Sequence, residues 1–255
     1  RIHVFCNLGR DMVKFGRQRK SRKVEEEERV GTAYHEAGHA VVGLLVPEAD
    51  PLHKVTIIPR GQAMGATFSL PEKDRYGYGR KFIHAELRRL CAGRIAEEKK
   101  TGDVTSGAAM DIKMATRYAR HMITEWGMSD RLGFVDLSGD ESQETRFYSD
   151  RGIGDDTQRI IDEEVKRLID EAYQDATRMI EENWDKIERL SNALLKYETL
   201  SADEVRKVLD GEELRKPSVS EILEAEAAKA EKPKKPESTR EDPDFGGASP
   251  PPLPA

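Results

Sequence analysis

The fold of this chain is decided by one stretch of sequence, VGTAYHEAGHAVVGLL, which covers residues 30–45. Apolar residues recur in it at spacings of three and four, a period that predicts a helix with a buried face. Pro47 and Pro51 follow the stretch and are expected to end that helix. The apolar positions are Ala33, Tyr34, Ala37, Ala40, Val41, Leu44 and Leu45.

The same helix carries two histidines, His35 and His39, one turn apart. Residues at i and i+4 lie on one face of a helix, so both imidazoles can point at a single metal ion. Glu36 lies beside them, where its carboxylate can take a proton from a water that attacks a carbonyl. The pattern predicts a zinc site with Glu36 as general base. The competing interpretation is that the two histidines are ordinary core or surface residues.

A glycine, Gly38, lies inside this predicted helix. Glycine in a helix interior costs about 1 kcal/mol relative to alanine, so its presence calls for a packing reason. Gly38 and Ala37 are small enough to let another element approach closely. We therefore expect a close packing neighbour at this point of the helix.

A catalytic zinc needs a third protein ligand and an open position for water. No further histidine lies close in sequence to His35 and His39. His53, His84 and His121 remain, together with many carboxylates. Spacing along the chain does not choose among them.

Several segments, in the same order along the chain, resemble the FtsH family of ATP-dependent, membrane-anchored zinc metalloproteases. The resemblance covers about residues 11–214 and implies a mainly α-helical zinc-peptidase domain with a small β-hairpin or sheet. Several motifs in order are far more specific than HExxH alone. The segments are TAYHEAGHA (32–40), HKVTIIPRG (53–61), GATFSLP (65–71), GRIAEE (93–98), TSGAAMDI (105–112), EWGMS (125–129) and IDEEV (161–165).

The resemblance also implies the remaining residues of the site. The third zinc ligand corresponds to Asp111, and zinc accepts carboxylate oxygen at about the same distance as imidazole nitrogen. Glu97 matches an acidic position near the site, where it would accept a hydrogen bond from a ligand imidazole. Glu97 is also the reserve candidate for third ligand, and its alternative is a plain helix-surface carboxylate. Met110 stands where the family usually has Asn, and Cys91 is expected to be a buried small apolar residue rather than a ligand.

The segment that contains Gly65, Ala66, Thr67 and Phe68 is predicted to be a strand. The resemblance implies that the edge of this strand binds an extended peptide substrate through backbone hydrogen bonds. From the residues alone, an ordinary packed hairpin fits equally well.

Three regions are predicted along the chain. Residues 1–24 are a linker or the end of a preceding ATPase module, and residues 25–215 form the zinc metallopeptidase domain. The domain includes a long amphipathic helix, or two in line, over residues 156–197, and a short helix that opens with the capping box Ser201 and Glu204. Eight of the twelve prolines lie at or after Pro217, so residues 216–255 are predicted to be a disordered Pro/Glu/Lys-rich tail.

Composition excludes some partners and suggests others. The net charge of -6 argues against nucleic acid. The chain has no GxxxxGK[ST] phosphate loop and no apolar run long enough to span a membrane. The resemblance therefore implies that ATP binding, membrane anchoring and assembly into a homo-hexamer belong to a longer protein. That protein would act on protein substrates at the cytoplasmic face of a bacterial inner membrane, or at the equivalent side of an organelle membrane.

Two other functions remain open at this point. The chain could be a protease-like scaffold that forms a helical ring and recruits partners without catalysis. Alternatively, the fold could bind zinc only structurally. An intact HExxH favours the zinc-dependent endopeptidase.

Overall fold

The computed structural model describes residues 25–59, 64–71, 76–138, 153–221 and Glu224. Within these residues the chain is mainly helical with one small sheet, which confirms the predicted fold class. The helices are α1 (Glu26–Leu45), α2 (Arg80–Thr101), α3 (Ala109–Thr124), α4 (Asp155–Glu182), α5 (Trp184–Tyr197) and α6 (Ala202–Leu209), and the strands are β1 (Leu52–Thr56), β2 (Ala66–Ser69) and β3 (Thr199–Ser201).

The chain divides into two units, Arg1–Val219 and Ser220–Ala255. The predicted domain at 25–215 falls within the first unit. The predicted linker at 1–24 and almost all of the predicted tail at 216–255 lie outside the described residues. Their boundaries and character therefore stay predictions.

Helix α1 is the helix predicted from the opening stretch, and residues 33–42 within it are all buried. It stops at Val46, whose backbone is extended. The residue before a proline is disfavoured in the helical region, so Pro47 accounts for this end.

Helix α1 crosses α2 at very short distance. A Cβ added to Gly38 would lie 2.6 Å from the carbonyl oxygen of Ala92 and 2.8 Å from the Cβ of Ala96. Ala92 and Ala96 are both fully buried. The close neighbour expected at Gly38 is therefore confirmed, and it is helix α2.

The sheet has the order β2-β1-β3, and β1 is antiparallel to both neighbours. Val55 of β1 is opposite Thr67 of β2 on one side and Leu200 of β3 on the other. The small hairpin or sheet predicted around residues 65–68 is confirmed as the pair of β1 and β2, and β3 is an addition that the sequence analysis did not foresee. Among the described strands, β2 has one edge without a partner strand.

Residues 156–197, predicted to be one long helix or two in line, form two helices, α4 and α5, that meet at Asn183. The Asn183 side chain donates to the carbonyl oxygen of Met179 at 2.9 Å, and its own oxygen accepts from Lys186 at 2.8 Å. Between Ile161 and Leu194 apolar residues recur every three or four positions, and Asn183 is the one polar residue in that series, so it marks the break. The predicted capping box of Ser201 and Glu204 opens α6.

The core consists of two apolar clusters. The first includes Ala37, Val55 and Leu190 and lies between α1, the sheet and α5. The second includes Leu87 and Met122 and lies between α2, α3 and α4.

The side chain of Cys91 packs against both apolar clusters. Burial raises the pKa of the Cys91 thiol to about 11, so it is protonated at neutral pH. Cys91 therefore packs as a small apolar side chain, although it is partly rather than fully buried. None of the helices in the described part of the chain combines the length and hydropathy that a membrane span requires.

The crossing of α1 and α2 predicts a large cost for one added methyl group. Gly38→Ala should lower the free energy of unfolding by about 1–3 kcal/mol, because the new Cβ would overlap the backbone of α2. Urea denaturation followed by circular dichroism measures this.

The matched control is Gly43→Ala in the same helix. A Cβ there would lie 3.4 Å from the flexible side chain of Arg89, so this variant should gain up to about 1 kcal/mol from helix propensity. Equal stability of the two variants would contradict the close crossing.

Candidate metal centre

The two histidines of α1 lie side by side, as the spacing predicted. His35 Nε2 and His39 Nε2 are 3.0 Å apart, and the rings meet edge to face at 85°. Both residues are buried, with 9% and 4% of their surface exposed. The helix thus presents two imidazole nitrogens to one point.

Asp111 reaches the same point from the first turn of α3. Its Oδ2 atom lies 3.2 Å from His35 Nε2 and 3.3 Å from His39 Nε2. In the described residues these three side chains are the one group that could hold a metal ion. Ligand atoms about 2.0–2.1 Å from a tetrahedral zinc are roughly 3.3 Å from each other, so the observed triangle fits that ion.

The outer nitrogens of both rings are engaged by α2. His39 Nδ1 donates to the carbonyl oxygen of Arg89 at 2.7 Å, and His35 Nδ1 donates to Glu97 Oε2 at 3.2 Å. In a neutral imidazole the other nitrogen then carries a lone pair. Two lone pairs and a carboxylate oxygen therefore converge, an arrangement that needs a positive charge between them.

Glu97 is buried and held from its other side. Its Oε1 accepts a 2.7 Å hydrogen bond from Thr105, whose oxygen in turn accepts from the backbone N–H of Gly107. Glu97 contacts the outer nitrogen of His35, away from the triangle. This position suits an orienting hydrogen bond to a ligand rather than a third ligand.

Burial and the neighbouring charges shift the pKa values of His35 and Asp111. Burial alone lowers the pKa of His35, but hydrogen bonds to Asp111 and Glu97 and the charge of Glu36 outweigh it and raise the pKa to about 10. Burial raises the pKa of Asp111, but hydrogen bonds from His35 and His39 outweigh it and hold that pKa well below its usual range. A proton or a cation is therefore strongly favoured at this point.

Two glycines make room for the site. A Cβ on Gly93 would lie 2.5 Å from His39 Nε2 and 2.7 Å from His35 Nε2. A Cβ on Gly65 would lie 2.9 Å from Glu36 Oε1. Backbone atoms of Gly93 and Gly65 thus lie where a side chain would collide with the two histidines and with Glu36.

Glu36 lies next to the triangle and contacts the strand predicted to bind substrate. Thr67 Oγ1 donates to Glu36 Oε2 at 2.6 Å. Gly65 immediately precedes β2, and Ala66, Thr67 and Phe68 lie within it. Phe68 is 4% exposed, so its side chain is not available to a substrate, whereas Ala66 and Thr67 are partly exposed.

The other predicted candidates lie elsewhere. His121 stacks on Trp126 and pairs with Glu125, and burial lowers the pKa of His84. Met110, which replaces the usual Asn beside Asp111, is 66% exposed. The carboxylate of Asp111 contacts His35 and His39 with methionine at position 110.

Sequence reasoning missed three contributors to the site: Gly93, Thr105 and the carbonyl of Arg89. Thr105 could have been found, because Thr-Ser-Gly before a helix is a typical capping pattern. A backbone carbonyl has no sequence signal, since every residue has one.

The first prediction from this geometry ranks the ligands. Asp111→Ala should lose most of the zinc affinity, because it removes one of three ligand atoms. Glu97→Gln should lower the affinity only by about 10- to 100-fold, because it weakens the orientation of His35. Competition with a chromophoric chelator measures both. A larger loss in the Glu97 variant would contradict the assignment.

The second prediction concerns pH. Without zinc, His35 should be protonated below its pKa of about 10, and zinc must displace that proton. Zinc binding at pH 7–8.5 should therefore release about one proton, and affinity should rise about tenfold per pH unit. Calorimetry in buffers of different ionisation enthalpy measures the release. An affinity independent of pH in this window would contradict a raised pKa.

Comparison with known proteins identifies the family of this chain. Residues 22–208 match the family described as Peptidase family M41. The chain is 44% identical over 245 residues to the ATP-dependent zinc metalloprotease FtsH 2 of Methylacidiphilum infernorum (isolate V4), covering 94% of this chain and 38% of that protein.

Two further relatives are called ATP-dependent zinc metalloprotease FtsH. The one from Cupriavidus metallidurans is 44% identical over 210 residues, which are 82% of this chain and 32% of the relative. The one from Rubrobacter xylanophilus is 44% identical over 203 residues, which are 78% and 31%. The chain thus spans roughly a third of the length of these relatives. Because the family match covers most of the chain, it belongs to peptidase family M41.

Proposed function

We propose that the chain is a zinc-dependent endopeptidase in which His35, His39 and Asp111 hold the ion and Glu36 is the general base. The observation that carries the proposal is the triangle of three ligand atoms with edges of 3.0, 3.2 and 3.3 Å. The Oδ2 atom of Asp111, whose side chain is partly exposed, is one corner of that triangle. The relatives named as zinc metalloproteases support the same reading.

His35, His39 and Asp111 would hold the zinc ion, which would supply Lewis-acid chemistry for the scissile carbonyl and for a water molecule. Glu36 takes one proton from the attacking water, so that the water oxygen forms a bond to the carbonyl carbon. When the carbon–nitrogen bond breaks, the same carboxyl gives its proton to the leaving amine. Glu36 thus returns to the amine the proton that it took from water, so one residue serves both steps.

The substrate peptide is proposed to lie along the unpaired edge of β2. An extended peptide there can form backbone hydrogen bonds whatever its side chains are. Glu36 contacts this strand through Thr67, so a peptide on the strand passes close to the base. Such binding requires an unfolded segment, which suits unfolded or membrane proteins as substrates.

The remaining properties are proposed for a longer protein that includes this chain. The relatives are named as ATP-dependent, and the chain spans roughly a third of their length. We place ATP use, a homo-hexameric ring and a membrane anchor in that longer protein, with this domain on the cytoplasmic side. The chain itself would supply the peptide-bond hydrolysis.

The alternative is a protease-like scaffold without catalysis. A scaffold would not need a carboxylate beside the ion or a free strand edge next to it. A purely structural zinc is the other alternative, and structural zinc usually has four protein ligands. The described residues offer three at this point.

The test of this function is Glu36→Gln. This variant should keep its zinc, because Glu36 is outside the triangle, but lose casein or peptide hydrolysis by roughly 100-fold or more. Zinc content by atomic absorption and cleavage of a quenched fluorescent peptide measure the two effects.

A hydroxamate inhibitor supplies the second arm. It should inhibit the unsubstituted chain, because a catalytic zinc keeps a position open to ligands. Intact hydrolysis in the Glu36 variant would exclude Glu36 as the base. Stoichiometric zinc without hydrolysis or hydroxamate binding would favour the structural role.

A further inference from the structure

The carboxylate of Glu36 is held by the face of one strand. Thr67 Oγ1 lies 2.6 Å from Glu36 Oε2, and it is also 3.1 Å from the main-chain oxygen of Glu36. Two residues earlier, and so on the same face, Gly65 leaves space for Oε1. The carboxylate therefore fits between Gly65 and Thr67, with one oxygen bonded to the threonine hydroxyl.

Helix α1 does not by itself determine where this carboxylate lies. The helix fixes the Cα and Cβ atoms of Glu36, but the side chain has further rotatable bonds. Across the residues that the structure describes, the hydroxyl of Thr67 is the one hydrogen-bond donor found for the carboxylate. Its orientation thus depends on an element outside the helix.

Thr67 is well suited to fix that orientation. Threonine is β-branched and has few allowed χ1 values in a strand. Its backbone is opposite Val55, a fully buried residue of the central strand β1. The position of the hydroxyl is therefore set by the sheet.

We infer that Thr67 is a positioning residue for Glu36, and this inference rests on the proposed function. Because Thr67 belongs to the strand proposed to pair with the substrate, one element aligns both the peptide and the base that acts on it. A small displacement of reacting groups costs a large part of the rate, so this shared element has a direct kinetic consequence.

A simpler role for the same hydrogen bond is to attach β2 to α1. That role would affect strand placement, and hence stability and substrate binding, without a specific effect on the chemical step. The two roles differ in which kinetic constant changes.

The experiment compares Thr67→Val with Thr67→Ser in the zinc-loaded chain, with a quenched fluorescent peptide as substrate. Valine keeps the shape and removes the hydroxyl, whereas serine keeps the hydroxyl. We expect Thr67→Val to lower kcat by roughly 10- to 100-fold. We also expect KM to stay within about twofold and zinc content to be unchanged. Thr67→Ser should restore most of kcat.

The matched control is Thr177→Val on α4. Its hydroxyl donates to the carbonyl oxygen of Tyr173 at 2.8 Å, within the helix, so kcat should stay at the value of the unsubstituted chain. It reports any general effect of exchanging threonine for valine.

Two results would overturn the inference. They are an unchanged kcat in Thr67→Val, whether or not KM rises, and an equal loss of kcat in the serine variant. An unsubstituted, zinc-loaded chain without peptidase activity would instead contradict the proposed function, and this inference with it.

Discussion

The close crossing of α1 and α2 is the constraint on which the candidate site depends. Gly38 lets the two backbones meet, with the carbonyl oxygen of Ala92 where a Cβ would be. Arg89, Gly93 and Glu97 are four residues apart and so lie along one face of α2. Glu97 and the carbonyl oxygen of Arg89 accept hydrogen bonds from the Nδ1 atoms of His35 and His39. Gly93, between them, leaves space for the two Nε2 atoms. The contact between α1 and α2 therefore sets the tautomers and the orientation of both imidazole rings, and the room around their Nε2 atoms.

Charge balance explains why this crossing favours a cation. Three carboxylates, Glu36, Glu97 and Asp111, surround two imidazoles that are mostly shielded from water. The hydrogen bonds and charges that raise the pKa of His35 are the same ones that attract a metal ion. Helix α1 contributes the nitrogen atoms, while α2 and α3 contribute most of the negative charge. The site is thus a product of three helices, although one of them carries the recognisable motif.

The sequence predicted the parts that follow from local periodicity. Helix α1, the close approach at Gly38 and the capping box at Ser201 were all readable, because each depends on residues within a few positions. The strand β3 was not, and for residues 156–197 the sequence left open whether one helix or two in line would form. A single polar residue in an apolar series does not show whether a helix stops, and β3 exists because β1 offers it an edge.

The same limit applies to the site. His35, Glu36 and His39 follow from helical spacing, whereas Asp111 came from a family resemblance because its distance in sequence has no geometric meaning. The contacts of Gly93 and of the Arg89 carbonyl depend on the crossing of two helices. Only the packed structure places them within reach of the histidines.

The ligand triangle also spans the two halves of the core. His35 and His39 are on α1, which packs in the first apolar cluster, whereas Asp111 is on α3, which packs in the second. An ion bound by all three side chains would link α1 in the first cluster to α3 in the second. Its affinity would then add to the stability of the folded chain through thermodynamic linkage. Chelation would therefore lower the free energy of unfolding in addition to removing the ion, while Asp111 would keep its contacts with His35 and His39.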